Sequence, residues 1–190
     1  MARVEVNISM SVDGFITGPH LDQYPGLGEG GEILHGWLSE GDRGKILDDV
    51  LFGPAGAVVT SRTVYEDTDG WGDDGFYGMP VFVLTHRPHP TVTKGATVFT
   101  FVTGGIEEAI SRAVAAAGPK KVHVMGGAGV IQQALNAGLV DELSLHVAPV
   151  LLGSGTPLFA HLGGPVRLER TETLDTATAT HLRFRVLKRS

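Results

Sequence analysis

The sequence contains no cysteine among its 190 residues. A disulfide framework and a thiolate metal site are therefore excluded, and so is a zinc deaminase, whose signature includes a P-C-x-x-C segment. Basic residues are also few, since 15 Lys and Arg stand against 21 Asp and Glu and leave a formal net charge of -6. A nucleic-acid partner is not expected, because the phosphate backbone selects basic surfaces.

Long apolar runs are missing as well. No segment approaches the roughly 20 apolar residues that a membrane-spanning helix requires, so no membrane partner is predicted. The apolar stretch at residues 3–11 is short and alternates with polar residues, so it predicts a strand and not a signal peptide. Together with the lack of cysteine, this pattern favours a cytoplasmic location.

The eight histidines show no H-E-x-x-H motif and no paired ligand spacing, so no metal site is predicted. His123 and His146 lie inside apolar strand patterns. Buried histidines of this kind are usually structural and hydrogen-bonded within the core. We therefore expect neither of them to bind a ligand.

The composition that remains is that of a globular protein, with 42% hydrophobic and 19% charged residues. Helices between the early strands predict a mainly parallel central sheet, and two closely spaced final strands predict an antiparallel C-terminal hairpin. The expected fold class is α/β, with helices flanking that sheet. One domain over residues 1–190 is long enough to enclose a core.

The periodicity predicts strands at 4–11, 55–60, 81–84, 97–102, 122–125, 141–150, 166–174 and 178–188. It predicts helices at 42–52 and 105–117, and a third that begins after Gly129 and ends at Gly138. Residues 13–31 are rich in Gly, Pro and Asp and predict a long loop. Its glycine-rich part, 26–31, follows no strand directly, so a flexible lid is expected there rather than a dinucleotide loop.

The most informative stretch runs from residue 121 to 159, and in it Gly126-Gly127-Ala128-Gly129 joins a short strand to a helix. A turn without side chains leaves the N–H groups of the helix N-terminus available to a phosphate, at the positive end of the helix dipole. The full G-x-G-x-x-G pattern is absent. A tight turn without a ligand therefore remains the alternative.

Polar groups follow two other predicted strands, as Thr60-Ser61-Arg62-Thr63 and as Thr85-His86-Arg87. Ligands of open α/β sheets bind at the carboxyl ends of the strands, and arginine offers several donors to a phosphate. The alternative for each segment is an ordinary loop with a solvated arginine. Three such segments in succession favour a nucleotide site.

Motifs along nearly the whole chain resemble the dihydrofolate-reductase-like superfamily, in particular the reductase domain of the riboflavin-biosynthesis deaminase-reductase. The resemblance rests on SMSVDG at 9–14, SRTVYE at 61–66, Thr85, GGA at 126–128, LVDEL at 139–143 and PVLLGSG at 149–155. Two positions depart from the family pattern, because Ser61 replaces a usual glycine and Val64 replaces a usual threonine.

The resemblance implies NADPH as cofactor and a homodimer as the assembly. It assigns the adenosine 2′-phosphate, the pyrophosphate and the nicotinamide to these residues: Ser61, Arg62, Thr63, Thr85, His86, Arg87, Gly126, Gly127, Ala128, Gly129, Val130, Ser9 and Ile16. A cis peptide bond is expected between Gly126 and Gly127. The implied reaction is hydride transfer to a C=N bond of a pyrimidine- or pterin-like heterocycle, as in 5-amino-6-(5-phosphoribosylamino)uracil reductase. Dihydrofolate reduction and a non-catalytic NADPH-binding module are the alternatives, and a plain oligomerising scaffold is a third.

Two carboxylates compete for the role of proton donor or substrate-orienting group. Asp13 ends the first strand, and Asp42 follows Trp37 by five residues. Their structural alternatives are a turn former at Asp13 and a helix N-cap at Asp42. Trp37, Gly153 and Gly155 are predicted to contact substrate, although a buried packing role is an equal alternative for Trp37 and for Trp71.

Overall fold

The computed structural model describes residues 2–39 and 55–188. The chain forms two compact units, one from Met1–Val6 with Pro54–Asp141 and the other from Asn7–Gly53 with Glu142–Ser190. They are called the first unit and the second unit below. Within the described ranges no helix is long and apolar enough to cross a membrane. The single domain over 1–190 stays a prediction.

The strands, in chain order, are β1 Val4–Ser11, β2 Phe15–Thr17, β3 Ala55–Ser61, β4 Pro80–Leu84, β5 Val92–Lys94, β6 Thr97–Val102, β7 Lys121–Gly126, β8 Glu142–Ala148, β9 Thr156–Pro157, β10 Arg167–Asp175 and β11 Thr180–Leu187. The α-helices of the described residues are α1 Arg62–Asp67, α2 Gly105–Ala117 and α3 Ala128–Asn136. Within the described residues, 3-10 helices occupy Gly31–Ser39 and Asp69–Trp71.

The sheet of the first unit runs in the order β1-β7-β3-β4-β6-β5. Every neighbouring pair is parallel except β5 with β6. Val58 pairs in register with Val81, and both are buried in a cluster with Val83 and Phe99. Continuous apolar strands of this kind are typical of parallel sheets that are covered on both faces.

Helix α2 shows why the helical prediction succeeds in this unit. Its buried positions, spaced three or four apart, are Ile106, Ala109, Ile110, Ala113 and Ala117. The helix ends at Gly118, whose φ of 60° favours glycine because a Cβ is strained there. The apolar stripe and the stop signal are both legible in the sequence.

The second unit contains the order β10-β11-β8-β1, in which β10 pairs antiparallel with β11 and β11 pairs antiparallel with β8. A separate two-stranded sheet joins β2 to β9. Strand β10 is exposed along all nine residues, and five of them are charged: Arg167, Glu169, Arg170, Glu172 and Asp175. Charged side chains on an edge strand discourage further strand addition.

The α/β fold, the mainly parallel sheet and the antiparallel C-terminal hairpin are confirmed. The predicted strands and the 105–117 helix recur within a few residues of their predicted bounds. Sequence reasoning missed the two-residue and three-residue strands, the short helix α1 and both 3-10 helices. The predicted helix at 42–52 lies outside the described residues.

Candidate functional site

A pocket of about 310 Å³ opens in the first unit beside α1, the segments that follow β4 and β6, and α3. That size is within the range of small-molecule sites. Seven of the thirteen predicted cofactor residues line it: Ser61, Arg62, Thr63, Thr85, His86, Arg87 and Val130. The folded first unit therefore brings the two polar segments predicted at strand ends to one place.

Five further residues line the same pocket and were not predicted from the sequence, namely Glu66, Leu84, Thr103, Gly105 and Gln133. Glu66 lies one helical turn after Arg62 on α1, so an i,i+4 pairing rule gave a signal for it. Thr103 follows the end of β6 as Thr85 follows the end of β4. Thr85 was predicted because ligands of open α/β sheets bind at the carboxyl ends of strands, and the same reasoning applies to Thr103.

Arg62 is held on three sides. Its Nε donates to Glu66 Oε1 at 2.6 Å, and its Nη1 donates to the Arg87 carbonyl oxygen at 3.4 Å. Its Cζ lies 6.0 Å from the centroid of the Phe101 ring, within the range of a cation–π contact. These contacts orient the guanidinium and leave its remaining N–H groups available to an anion.

Thr85 organises the turn that carries Arg87. The Thr85 hydroxyl accepts from the Arg87 N–H at 3.1 Å and donates to the Arg87 carbonyl at 3.3 Å. Thr85 itself is buried, whereas His86 and Arg87 are exposed. The threonine therefore positions the backbone of two exposed side chains instead of offering its own hydroxyl to a ligand.

The glycine-rich turn leads directly into α3. The peptide bond between Gly126 and Gly127 is cis, as predicted. Gly127 provides no side-chain cap for α3, and a Cβ built on Gly129 meets no atom within 4 Å. The backbone of the first helical turn is thus open on that side, which suits the approach of a phosphate to its N–H groups.

Ser61 connects this turn to α1. Its Oγ accepts from the Val64 N–H at 3.1 Å, which caps α1, and from the Gly127 N–H at 3.3 Å. A glycine at this position has no side-chain oxygen that could accept either of these hydrogen bonds. The departure from the family pattern therefore adds two hydrogen bonds to the pocket wall and does not obstruct it.

Asp13 lies in the second unit, where it is exposed and bound to a backbone loop. Its carboxylate accepts from the Leu152 N–H at 3.1 Å and from the Gly153 N–H at 2.7 Å. A side-chain hydrogen bond with Ser11, followed by the bonds from Gly153 and Leu152, holds the pKa of Asp13 below its ordinary value. Asp13 is therefore an anion at neutral pH, suited to accept hydrogen bonds and not to donate a proton.

If Asp13 serves a reaction of this protein, replacing it with asparagine is expected to lower turnover at least about tenfold, far more than it lowers the affinity for a nucleotide, because the amide loses one acceptor. A depressed carboxyl pKa also has a pH consequence. Asp13 stays ionised at every pH above its ordinary value of 3.8, so an acidic fall in kcat between pH 7 and 5 will not arise from it. Steady-state kinetics between pH 7 and 5 measures both the loss of turnover in the variant and the pH dependence of kcat.

Asp74→Asn is the matched control for this variant. Asp74 is an exposed turn aspartate whose Oδ1 accepts from the Phe76 N–H. Unchanged turnover in Asp13→Asn would show that Asp13 takes no part in the chemistry. Its role would then be to anchor the loop at Leu152 and Gly153 by hydrogen bonds.

Trp37 is buried in the second unit, with 3% of its surface exposed. Its Nε1–H donates to Ser9 Oγ at 3.1 Å, and its ring packs 4.5 Å from His146 and 5.0 Å from His181. The structure supports the packing alternative for Trp37 and not the predicted contact with substrate. Ser9 and Ile16, predicted near the nicotinamide, are also buried in the second unit, and neither lines the pocket of the first unit.

The two glycines predicted to contact substrate differ in their surroundings. A Cβ on Gly155 would lie 2.0 Å from the Thr17 carbonyl oxygen, whereas a Cβ on Gly153 meets nothing within 4 Å. Gly155 is therefore required for the close approach of backbone at β2 and β9. Gly153 remains a candidate for substrate contact.

Substituting alanine at these two positions separates the roles. Gly155→Ala is expected to lower the free energy of unfolding by about 3 kcal/mol through the clash with Thr17. Gly153→Ala is expected to cost only the about 1–2 kcal/mol of its left-handed backbone. Urea unfolding of both variants measures the difference, and equal losses would contradict the assignment.

Two buried histidines of the second unit, His146 and His181, form a hydrogen bond with each other. His146 Nε2 lies 2.8 Å from Asn7 Oδ1, and His146 Nδ1 lies 2.8 Å from His181 Nδ1. Because an amide oxygen only accepts, His146 donates from Nε2 and His181 donates from Nδ1 in this arrangement. The prediction that His146 is structural is confirmed. Asp42, the other candidate acid, lies outside the described residues.

A known protein family matches nearly the whole chain. The family model of the RibD C-terminal domain matches residues 2–182. The chain is 36% identical over 177 residues to the protein YyaP of Bacillus subtilis, which covers 90% of this chain and 87% of that one.

Solved structures share the fold at low identity. The riboflavin biosynthesis reductase Rib7 of Saccharomyces cerevisiae gives a TM-score of 0.65 at 13% identity, covering 98% of this chain and 90% of that one. A deaminase/5-amino-6-(5-phosphoribosylamino)uracil reductase of Thermotoga maritima gives 0.66 at 13%, covering 98% of this chain and 57% of that one. The fold predicted by resemblance is confirmed, and the extent of the family match decides the classification: the chain belongs to the RibD C-terminal domain family.

Proposed function

We propose that this protein is an NADPH-dependent reductase that transfers a hydride to a C=N bond of a pyrimidine- or pterin-like heterocycle. The reaction that we propose resembles that of 5-amino-6-(5-phosphoribosylamino)uracil reductase of riboflavin biosynthesis. The observation that carries the proposal is the pocket of the first unit, where Arg62 and Arg87 lie with the open start of α3. We also propose a homodimer as the working assembly.

The residues present fit the cofactor. Two arginine side chains line a pocket of suitable size, and multi-donor guanidinium groups match a phosphate. The first turn of α3, uncapped by Gly127, provides backbone N–H groups for a second phosphate. Arg62 and Arg87 would hold the adenosine 2′-phosphate, and Gly129 with Val130 would hold the pyrophosphate.

NADPH, when bound, supplies the hydride from C4 of its dihydronicotinamide ring. The protein's part is to align the reactants and exclude water. Addition of the hydride to the carbon of C=N leaves negative charge on the nitrogen, which takes up one proton. Asp13 is ionised and cannot donate that proton near pH 7, so we assign it the orientation of substrate N–H or O–H groups through its free lone pairs.

The test is oxidation of NADPH by the purified protein with a panel of ribosylaminopyrimidine, dihydropterin and dihydrofolate substrates. The proposal expects a loss of dihydronicotinamide absorbance that depends on one pyrimidine- or pterin-like substrate, with the reduced product identified by mass spectrometry. Selective turnover of dihydrofolate would favour the dihydrofolate reductase alternative. Tight NADPH binding without turnover of any substrate would favour the non-catalytic module.

A further inference from the structure

Asp13 is a single charge on an otherwise uncharged surface of the second unit. The segments 11–17 and 149–158 lie side by side there, since the Val12 N–H donates to the Val150 carbonyl oxygen at 2.9 Å and β2 pairs with β9. Asp13 is the one charged residue of the two segments. A ligand that reaches this carboxylate therefore meets one negative charge, and neither segment supplies a positive one.

Two apolar side chains are exposed next to this carboxylate. Val12 precedes it in the chain and is 59% exposed, and Leu151 is 72% exposed beside Leu152, whose N–H Asp13 accepts. Single exposed apolar residues are ordinary on a protein surface, but these two border the group that we assign to substrate orientation. Aliphatic carbons beside a hydrogen-bond acceptor suit a flat heterocycle, which presents N–H groups at its edge and an apolar face.

Positive charge is confined to another part of the second unit. Among the described residues of this unit, 7–39 and 142–166 contain no lysine or arginine. Its basic residues begin at Arg167, on the hairpin of β10 and β11, where two arginines of β11 pair with glutamates of β10 at 2.9 and 2.7 Å. Residues 7–39 contain four carboxylates, namely Asp13, Asp22, Glu29 and Glu32.

Helix N-termini, the other common partners of a phosphate, lie elsewhere as well. The α-helices of the described residues, α1 to α3, all belong to the first unit. The 3-10 helix Gly31–Ser39 of the second unit carries Glu32 in its first turn, which offsets the partial positive charge of that end. Proteins hold phosphates chiefly with arginine, lysine and helix N-termini, and the described loops around Asp13 offer none of these.

We infer, on the basis of the function proposed above, that the substrate is an uncharged heterocycle, a free base or a nucleoside, that carries no phosphate or other anionic arm. Asp13 accepts from N–H groups at the edge of the ring, and Val12 and Leu151 contact its face. The substrate then differs from that of 5-amino-6-(5-phosphoribosylamino)uracil reductase, whose name specifies a phosphoribosyl group.

The test uses candidate substrates that differ from each other by one phosphate. 5-Amino-6-ribosylaminouracil is compared with its 5′-phosphate, and dihydroneopterin with its phosphate, by kcat/KM for NADPH oxidation at pH 8, where histidines are neutral. In the pair that is reduced, we expect the member without phosphate to be favoured at least about fivefold at low salt, because Asp13 repels the phosphate. The advantage should shrink as salt is added.

Leu151→Arg places a cation beside Asp13, at a position exposed enough to accept the longer side chain. We expect the preference to fall by about three- to tenfold, because the added charge attracts the phosphate-bearing substrate. Leu151→Gln removes the apolar contact without adding charge and should keep the preference. Leu168→Arg, at a 39% exposed position of the edge strand β10, adds the same charge elsewhere in the unit and should keep it too.

An equal or higher kcat/KM for the phosphate-bearing member would overturn this substrate class, and so would a preference that Leu151→Arg leaves unchanged. Both of those results leave the reductase function standing. If no member of either pair is reduced although NADPH binds, the proposed reductase function fails, and the substrate class fails with it.

Discussion

Replacing Arg62 with alanine is expected to lower the affinity for NADPH by about ten- to a hundredfold, the loss that accompanies removal of one charged hydrogen-bonding group. The affinity for NADH should change much less, because NADH lacks the phosphate that Arg62 is proposed to hold. Arg62 is oriented by Glu66 and by the Arg87 carbonyl, so its guanidinium loses little freedom on binding. Fluorescence titration with both nucleotides measures the effect.

The chain offers a closely matched control in Arg112. Arg112 pairs with Glu108 at i,i+4 and lies 5.8 Å from the Phe82 ring centroid, as Arg62 pairs with Glu66 and lies 6.0 Å from Phe101. Arg112→Ala should leave both affinities unchanged. Equal losses for NADPH and NADH in Arg62→Ala would show that Arg62 does not recognise the 2′-phosphate.

Replacing Trp37 with alanine is expected to lower the free energy of unfolding by about 3–5 kcal/mol, as for other large buried side chains. The ring packs against two histidines and donates to Ser9, so its removal leaves a cavity and an altered polar contact. Urea unfolding monitored by far-UV circular dichroism measures the loss.

Trp37→Phe separates packing from hydrogen bonding. Phenylalanine retains much of the ring and loses only the Nε1–H, so we expect a cost of about 1–2 kcal/mol. If Trp37→Ala leaves stability intact but abolishes substrate binding, the original prediction of a substrate contact is right and the packing assignment is wrong.

The sequence was most informative in the first unit. The apolar strands, the amphipathic helix that ends at Gly118 and the glycine-rich turn at Gly126 all carry local signals. Local signals suffice there because parallel strands and their crossover helices are strongly apolar and are punctuated by glycine. The two arginine-bearing segments were also found, since strand ends are places where ligands bind.

The second unit shows where local patterns fail. On β1 the polar side chains of Asn7, Ser9 and Ser11 are buried, although alternation normally places polar residues toward solvent. Their partners, such as Trp37 for Ser9, come from distant parts of the chain. Burial set by long-range contacts cannot be inferred from the period of a single strand.

The pocket shows the same limit on a smaller scale. Helix α1 has six residues and was not predicted as a helix, because so short a segment carries little periodicity. Recognising it as a helix would have placed Glu66 one turn from Arg62 and brought the carboxylate into the site. The role of Ser61 likewise depends on Gly127, which is 66 residues away in the chain.

The central claim is that the first unit binds NADPH through the arginines of this pocket. Titration of the purified protein with NADPH, followed by competition with adenosine 2′-monophosphate and adenosine 5′-monophosphate, tests it most directly. Saturable NADPH binding that the 2′-monophosphate displaces at lower concentration than the 5′-monophosphate is the predicted result. Absence of NADPH binding, or equal displacement by the two nucleotides, would contradict it.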